Sequence, residues 1–250
     1  MEAAHFDLHK SFKSNFWYVQ CRQDLIEKIL KKYLASKGLK KSSVKLLDVG
    51  CGTGMNYRAL KKFGEVHSID IDKIAVEVYR KKRIKNIFIG DAQNMKMFKS
   101  NYFDVLCAVE LIEHLQRDYL FIREAHRVLK KGGFLFLTAP AFKLLWSEDD
   151  RLSHHYRRYN IKSLEKLLSK KFKISLLSHR YFFVFPFSAV VFVVMWFKRV
   201  FTRKSTSSLA FTPGFLNSLL KGIMKFENTL ISKNIKLPFG VGIVALCEKG

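Results

Sequence analysis

A strand that runs into three glycines on alternate positions leaves a chain few folds to choose from. Here the stretch is Leu46-Leu47-Asp48-Val49-Gly50-Cys51-Gly52-Thr53-Gly54, followed by the helical-looking run Met55 to Phe63. Two leucines, an aspartate and a valine have the character of a buried parallel strand, and the glycines free the backbone for positive φ and for close approach of a ligand. The spacing is GxGxG, which departs from the GxGxxG of dinucleotide folds. By itself the stretch is either a nucleotide-binding turn or simply a tight strand–helix turn. The residues downstream decide between them.

Glu65 to Ile69 reads as a second strand ending at Asp70, about 20 residues after the start of the glycine turn, where a doubly wound fold places the acid that receives ribose hydroxyls. Asp72, next to it, suits a helix N-cap better. Ile87 to Ile89 reads as a third strand, followed by Gly90-Asp91-Ala92, and Phe103 to Val109 as a fourth, ending at Glu110. A helix over Tyr119 to Leu129 closes on Lys130-Lys131-Gly132-Gly133, basic residues with a glycine cap. Phe134 to Thr138 is the fifth strand, Ile161 to Phe172 a helix, Lys173 to Ser178 the sixth strand and Gly240 to Cys247 the last.

This alternation predicts an α/β fold of Rossmann-like, doubly wound type: a mostly parallel seven-stranded sheet with right-handed crossovers. A helical extension precedes it, since Phe12, Phe16, Val19, Ile26, Ile29, Leu30 and Tyr33 recur at roughly helical spacing over residues 8–36. The expected organisation is a helical lid over 1–43, a core over 44–180, an apolar insertion over 181–236 and the last strand over 237–250. In such sheets ligands bind beyond the carboxyl ends of the strands. Gly50 to Gly54, Asp70, Asp91 and Glu110 all fall there, so four signals converge on one edge.

Composition narrows the partners. With 45 Lys and Arg against 21 Asp and Glu the net charge is +24, which fits either a polyanionic partner, nucleic acid or anionic lipid, or a Lys-rich solvated surface. Cys21, Cys51, Cys107 and Cys247 are far apart and form no CxxC pair, so neither a disulfide framework nor a zinc site is expected, and a reducing compartment is. Residues 1–13 lack the apolar core of a signal peptide.

These stretches resemble the class I S-adenosylmethionine-dependent methyltransferases, in particular the methyltransferase type 11 group. LLDVGCGTG is similar to that family's first motif, SIDID to its second, GDA to its third, FDVLCAVELIEHL to its fourth, and VLKKGGFLFLTAP to its fifth strand. The resemblance implies S-adenosyl-L-methionine as cofactor. It implies that Asp48, Gly50, Cys51, Gly52 and Gly54 line the methionine and ribose part, and that Asp70 holds the ribose hydroxyls with Ile71 beside the adenine. Asp91 would accept from the adenine amine with Ala92 adjacent, and Glu110 would border the methyl end. Phe16-Trp17-Tyr18 with Arg22, and Trp146-Ser147…Asp150…His155-Tyr156-Arg157-Arg158-Tyr159, resemble a narrower subgroup that tends to carry an apolar C-terminal stretch. Asn15 stands where that subgroup has His.

Acceptor chemistry is expected in the loop from Ala139 to Asn160. Methyl transfer from a sulfonium is a direct displacement, so the enzyme mainly positions the acceptor. For a hydroxyl acceptor a histidine can take the proton. His155 is the first candidate base and His114 the second, each against a structural or capping role. Trp17, Arg157, Arg158 and Tyr159 are the expected substrate contacts. Arg157 and Arg158 either clamp a phosphate or carboxylate or belong to a salt-bridged loop. No metal site is expected, because Asp149, Asp150, His154 and His155 are too close in sequence to face one ion together.

Tyr181 to Phe197 (YFFVFPFSAVVFVVMWF) carries no charge and lies between His179-Arg180 and Lys198-Arg199. It falls just short of the roughly 20 residues a bilayer crossing needs. A single crossing would also strand the last strand on the far side. Phe215, Leu216, Leu219, Leu220, Ile223, Phe226 and Leu230 form an amphipathic face. These features predict a peripheral or monotopic anchor on the inner, cytoplasmic face of an anionic membrane; a buried helix pair or a dimer contact are the alternatives. The expected activity is O-methylation of a lipid-linked or hydrophobic small molecule. The rivals are an RNA or protein methyltransferase and a non-catalytic scaffold. Nucleic acid is the less expected partner, as no aromatics interleave a basic stripe; oligomeric state is open.

Overall fold

The computed structural model describes residues 17–40, 43–180 and 214–250, with only the backbone of residues 214–216. The expected apolar insertion at Tyr181 to Phe197, and Phe12 and Phe16 of the N-terminal extension, lie outside the described residues.

Seven strands form one sheet in the order β3-β2-β1-β4-β5-β7-β6. They are β1 (Lys45–Val49), β2 (Glu65–Asp70), β3 (Ile87–Ile89), β4 (Phe103–Val109), β5 (Leu129–Pro140), β6 (Lys173–Arg180) and β7 (Gly242–Glu248). The first five are parallel, and β7 runs antiparallel between β5 and β6. This is the expected Rossmann-like sheet, and its last strand does share the sheet with β1.

Side chains alternate across the sheet, and both faces are covered. One carries Leu47, Val49, Ile69, Leu106, Leu135 and Leu137 against Phe121, Ile122 and Ala125 of α4 (Asp118–Val128) and Leu164 and Leu168 of α6 (Ile161–Leu168). The other carries Leu46, Val66, Val105, Cys107 and Phe136 against Leu25, Ile26, Ile29 and Leu30 of α1 (Trp17–Ser36). Asp48 is two residues on from Leu46, so it faces α1 from inside the sheet. The C-terminal helix α7 (Gly214–Ser232) packs along α1: Trp17, Cys21, Leu220 and Met224 form a cluster, and the Asn228 amide donates to the Cys21 carbonyl (2.8 Å) and the Asp24 carboxylate (2.9 Å). Of the expected amphipathic face, Leu220 is buried on α1 whereas Leu219 and Phe226 are exposed.

Among the boundaries that differ from expectation, three bear on the packing. Only Tyr57–Leu60 after the glycine turn is helical (α2), because Met55 and Asn56 still belong to the turn. Lys130 to Gly133 begin β5 instead of capping a helix: α4 stops at Val128, Leu129 is extended and pairs with Phe103, and Gly132 N donates to the Lys249 carbonyl (2.8 Å). The glycine at 133 has a steric reason, since a Cβ there would lie 2.9 Å from the Lys130 carbonyl oxygen and 3.0 Å from that of Asp104. The helix after the β5 loop ends at Leu168, short of Phe172.

Candidate active site

The cofactor-side rim is built at the carboxyl ends of β1 to β4. Gly50, Gly52 and Gly54 all have positive φ (70°, 50° and 82°). At Gly52 a Cβ would meet no atom within 4 Å, so the turn is open on that side, and its amide donates to Asp70 Oδ2 (2.8 Å). At Gly54 a Cβ would come within 2.8 Å of the Tyr79 ring of α3 (Lys73–Lys81), which locks the turn to that helix. Asp70 accepts a second backbone bond from Asp72 N at Oδ1 (3.0 Å), and Asp72 in turn caps α3 by accepting from Ile74 N (2.8 Å). Burial pushes the Asp70 carboxyl up, and the Asp72 and Gly52 amides pull it back. Each carboxylate oxygen offers two lone pairs, so one amide on each leaves acceptors for hydroxyls.

Ile71, at the tip beyond Asp70, is 68% exposed, an apolar side chain left uncovered beside two acids. Asp91 orders its own loop by accepting from Gln93 N (2.8 Å), with Ala92 buried beside it.

Asp48 is fully buried, and neither carboxylate oxygen has a hydrogen-bond partner among the described residues. Burial pushes its carboxyl up to about 7, against the pull of the nearby Arg22 guanidinium and of the Asn56 side chain. Arg22 comes from α1, is itself buried, and reaches Met55 Sδ with one Nη (3.5 Å), while its Nε has no partner among the described residues. Gln23 also bonds the Met55 carbonyl. The N-terminal helix therefore contributes a cation to the floor of the glycine turn. Orphaned buried polar atoms are rare and mark a ligand or strain. Those of Asp48 and Arg22, with the open side of Gly52, fit a polar, ribose-bearing cofactor.

The acceptor-side rim joins the tip of β4 to the loop after β5. Glu110 holds a left-handed backbone (φ 51°), strained for a residue with a Cβ. It is fixed there by Thr138, whose hydroxyl donates to Glu110 Oε1 (2.7 Å). Leu111 seals the junction with the first rim, as a Cβ at Gly50 would lie 2.7 Å from its Cδ1. A 3-10 turn, Ile112–His114, follows. Glu113 within it is fully buried with no partner for either carboxylate oxygen among the described residues, and burial together with Glu110 pushes its carboxyl well up.

The loop after β5 is held by Asp150 at the start of the short helix α5 (Glu148–Leu152). Asp150 accepts from Arg158 at both oxygens (2.8 and 2.9 Å), from Ser147 N (2.8 Å), and bonds His155 Nδ1 (2.8 Å). Burial alone would raise its carboxyl, but Arg158, the Ser147 amide and His155 hold it down at about 2. The bond fixes the imidazole of His155 with Nε2 on the other side, and its ring stands edge-on to His114 at 4.6 Å. The two candidate bases, from separate loops, are thus brought together. The Tyr156 amide donates to the Glu113 carbonyl (2.8 Å), tying the loops.

Other expected contacts fall elsewhere. Arg157 is taken by Asp118 (3.0 Å) and the Gln116 carbonyl (2.7 Å), Arg158 by Asp150, and Tyr159 Oη by Asp118 (2.9 Å). The structure favours the salt-bridged loop over the phosphate clamp. Trp17 is buried between α1 and α7 with its amide bonded to Asn217 Oδ1 (2.8 Å), a packing position. Sequence reasoning passed over Glu113, Thr138 and Asp118. The only local sign for Glu113 was an acid amid apolar neighbours in LIEHL; Thr138 and Asp118 gave none.

Residues 47–137 match a family model described as "Methyltransferase domain". Among curated proteins, the Pelagibacter ubique (strain HTCC1062) ubiquinone biosynthesis O-methyltransferase is 33% identical over 100 residues, 38% of this chain and 42% of that protein. The chain thus covers less than half the length of that relative. Among solved structures, Haemonchus contortus phosphoethanolamine N-methyltransferase 2 in complex with S-adenosyl-L-methionine has a TM-score of 0.53 at 20% identity, covering 88% of this chain and 51% of that one. The cyclase SpnF has a TM-score of 0.55 at 18% identity, covering 89% and 80%. At such identities the likeness shows the fold alone, and the fold serves more than one reaction. Residues 47–137 thus match a methyltransferase domain, and the sheet that contains them has the fold of the class I S-adenosylmethionine-dependent methyltransferases.

Proposed function

We propose that the protein methylates a hydroxyl of a hydrophobic or lipid-linked small molecule and does so at an anionic membrane surface. The observation that carries the reading is the Asp150–His155 pair: it holds the imidazole by Nδ1, leaving Nε2 on the other side, next to the β4 tip that also closes the glycine turn. S-adenosyl-L-methionine, when bound, supplies an electrophilic methyl group on a sulfonium. Asp70 would hold its ribose hydroxyls, Asp91 and Ile71 its base, and Arg22 with Asp48 its amino-acid end. His155 accepts the acceptor's hydroxyl proton at Nε2, and Asp150 stabilises the imidazolium so formed. Glu110, pinned by Thr138, borders the methyl end.

An apolar acceptor is supported by the same loop. Leu144 is 95% exposed, and Leu152 and Tyr156 are also exposed there. The relative from Pelagibacter, by its name, acts in ubiquinone biosynthesis, chemistry of an apolar acceptor. The membrane reading is supported by the net charge of +24 and by the uncharged stretch Tyr181 to Phe197. Among the described residues no helix is long and apolar enough to cross a membrane. Because β7 returns between β5 and β6, a membrane-docked insertion would leave and re-enter on one side.

The test is to incubate the protein with a membrane extract and cofactor labelled in its methyl group. The label is expected in the fraction extracted by organic solvent and is expected to be lost with His155→Ala. Label found only in nucleic acid or protein would overturn the assignment of the acceptor.

A further inference from the structure

Among the described residues, Glu113 is a fully buried carboxyl on the acceptor side of the site. A carboxylate shut away from water needs a charged or hydrogen-bonding partner, or must stay protonated. Its side chain is fully buried, neither oxygen receives a hydrogen bond from an N–H or hydroxyl donor among the described residues, and its near neighbour is a second carboxyl, that of Glu110. Two imidazoles stand beside it: Glu113, His114 and His155 each offer one ligand atom, and these atoms lie within 4.8 Å of one another. They come from two loops, after β4 and after β5, which the bond from Tyr156 N to the Glu113 carbonyl (2.8 Å) holds in register.

We propose that Glu113, His114 and His155 form a binding site for a divalent transition-metal cation. The donor set, two imidazoles and one carboxylate, suits zinc, cobalt, manganese or iron(II). His155 has the outer support such ligands need: its Nδ1 bonds Asp150, itself anchored by Arg158 and Ser147, which leaves Nε2 for the cation. Three protein ligands leave coordination positions open, the arrangement of catalytic sites and not of closed structural ones. The run Asp149 to His155, too compact to surround an ion by itself, supplies one of these ligands, and the β4 loop supplies two.

The inference deepens the methyltransferase reading and rests on it for its role. The cation takes the acceptor's oxygen at an open position and lowers the pKa of its hydroxyl, whose proton leaves to water. With the cation bound, His155 Nε2 is a ligand and the cation activates the hydroxyl; the general-base role proposed for His155 belongs to the cation-free enzyme.

The test is titration of the chelator-treated full chain with Co²⁺, read by its visible ligand-field absorption, and with Zn²⁺ by calorimetry. One equivalent per chain is expected. Glu113→Gln and His114→Gln should abolish it, Asp150→Asn should weaken it by about 10- to 100-fold, and His154→Ala, on the exposed neighbour, should leave it unchanged. S-adenosyl-L-methionine binding, measured on the same samples, checks that each variant is folded. Absence of stoichiometric binding by the wild type, or equal binding by folded Glu113→Gln and His114→Gln chains, overturns the cation site. Full methyl transfer after chelation would remove its role while leaving the methyltransferase reading intact. Cation uptake without cofactor binding would do the reverse.

Discussion

Asp48 and Asp150 are both buried aspartates, one in each half of the site, and they meet opposite fates. Asp48 lies in β1 with no hydrogen bond to either oxygen among the described residues, and its carboxyl rises to about 7. Asp150 lies at the foot of the acceptor loop with Arg158, Ser147 and His155 around it, and its carboxyl falls to about 2. Burial acts the same way on both, so partners make the difference. The cofactor half keeps polar groups unsatisfied and ready for a ligand; the acceptor half satisfies its own charges and uses them to hold a histidine still.

Each half answers to a substitution at its own aspartate. Asp150→Ala removes the common partner of Arg158 and His155 and leaves the guanidinium without its buried counter-charge. A loss of about 3–5 kcal/mol of stability is expected, read by chemical denaturation, with His155-dependent activity lost alongside. A cost below about 1 kcal/mol would mean that the loop does not depend on this network.

Asp48→Asn should act in the opposite direction. A carboxyl whose folded pKa lies above its unfolded value contributes stability that is present below the unfolded pKa, near 3.8, and lost as pH rises toward 7. The amide removes that loss. The variant should therefore gain on the wild type between pH 4 and pH 7, by up to roughly 4 kcal/mol for a shift of about three pKa units, while binding the cofactor less well. Melting curves across pH check this, and a wild-type advantage at pH 8 would contradict it. A smaller effect is expected at the junction of the two halves. Thr138→Val takes a charge-assisted bond from Glu110 and should cost about 1.5–3 kcal/mol, seen as a modest drop in melting temperature with the sheet intact by circular dichroism.

The two halves also differ in how far the sequence disclosed them. Gly50 to Gly54, Asp70 and Asp91 were legible because each sits at a strand tip whose position follows from hydrophobic runs, and a strand tip needs no distant partner to be recognised. Even there the bonds from Gly52 and Asp72 to Asp70 became visible only in the fold. In the acceptor loop the residue types were readable but the pairings were not. Arg157 is matched to Asp118, 39 residues away, and nothing local in HYRRY says so. Trp17 at the start of a helical extension suits a lid contact or a packed helix equally; its burial depends on α7, two hundred positions downstream. The misjudged start of β5 has the same origin. A glycine pair after a helix reads as a cap, while the strand pairing of Leu129 with Phe103 is a tertiary fact.

The open, under-satisfied half is the site for S-adenosyl-L-methionine, which calorimetric titration with that compound will reveal. The wild-type chain is expected to bind one equivalent. Asp70→Ala, which removes a charged acceptor of two ribose hydroxyls at about 1.5–3 kcal/mol each, should weaken binding at least about 100-fold while Trp17→Phe leaves it unchanged. No binding by the folded wild type, or equal affinity in Asp70→Ala, would contradict the account.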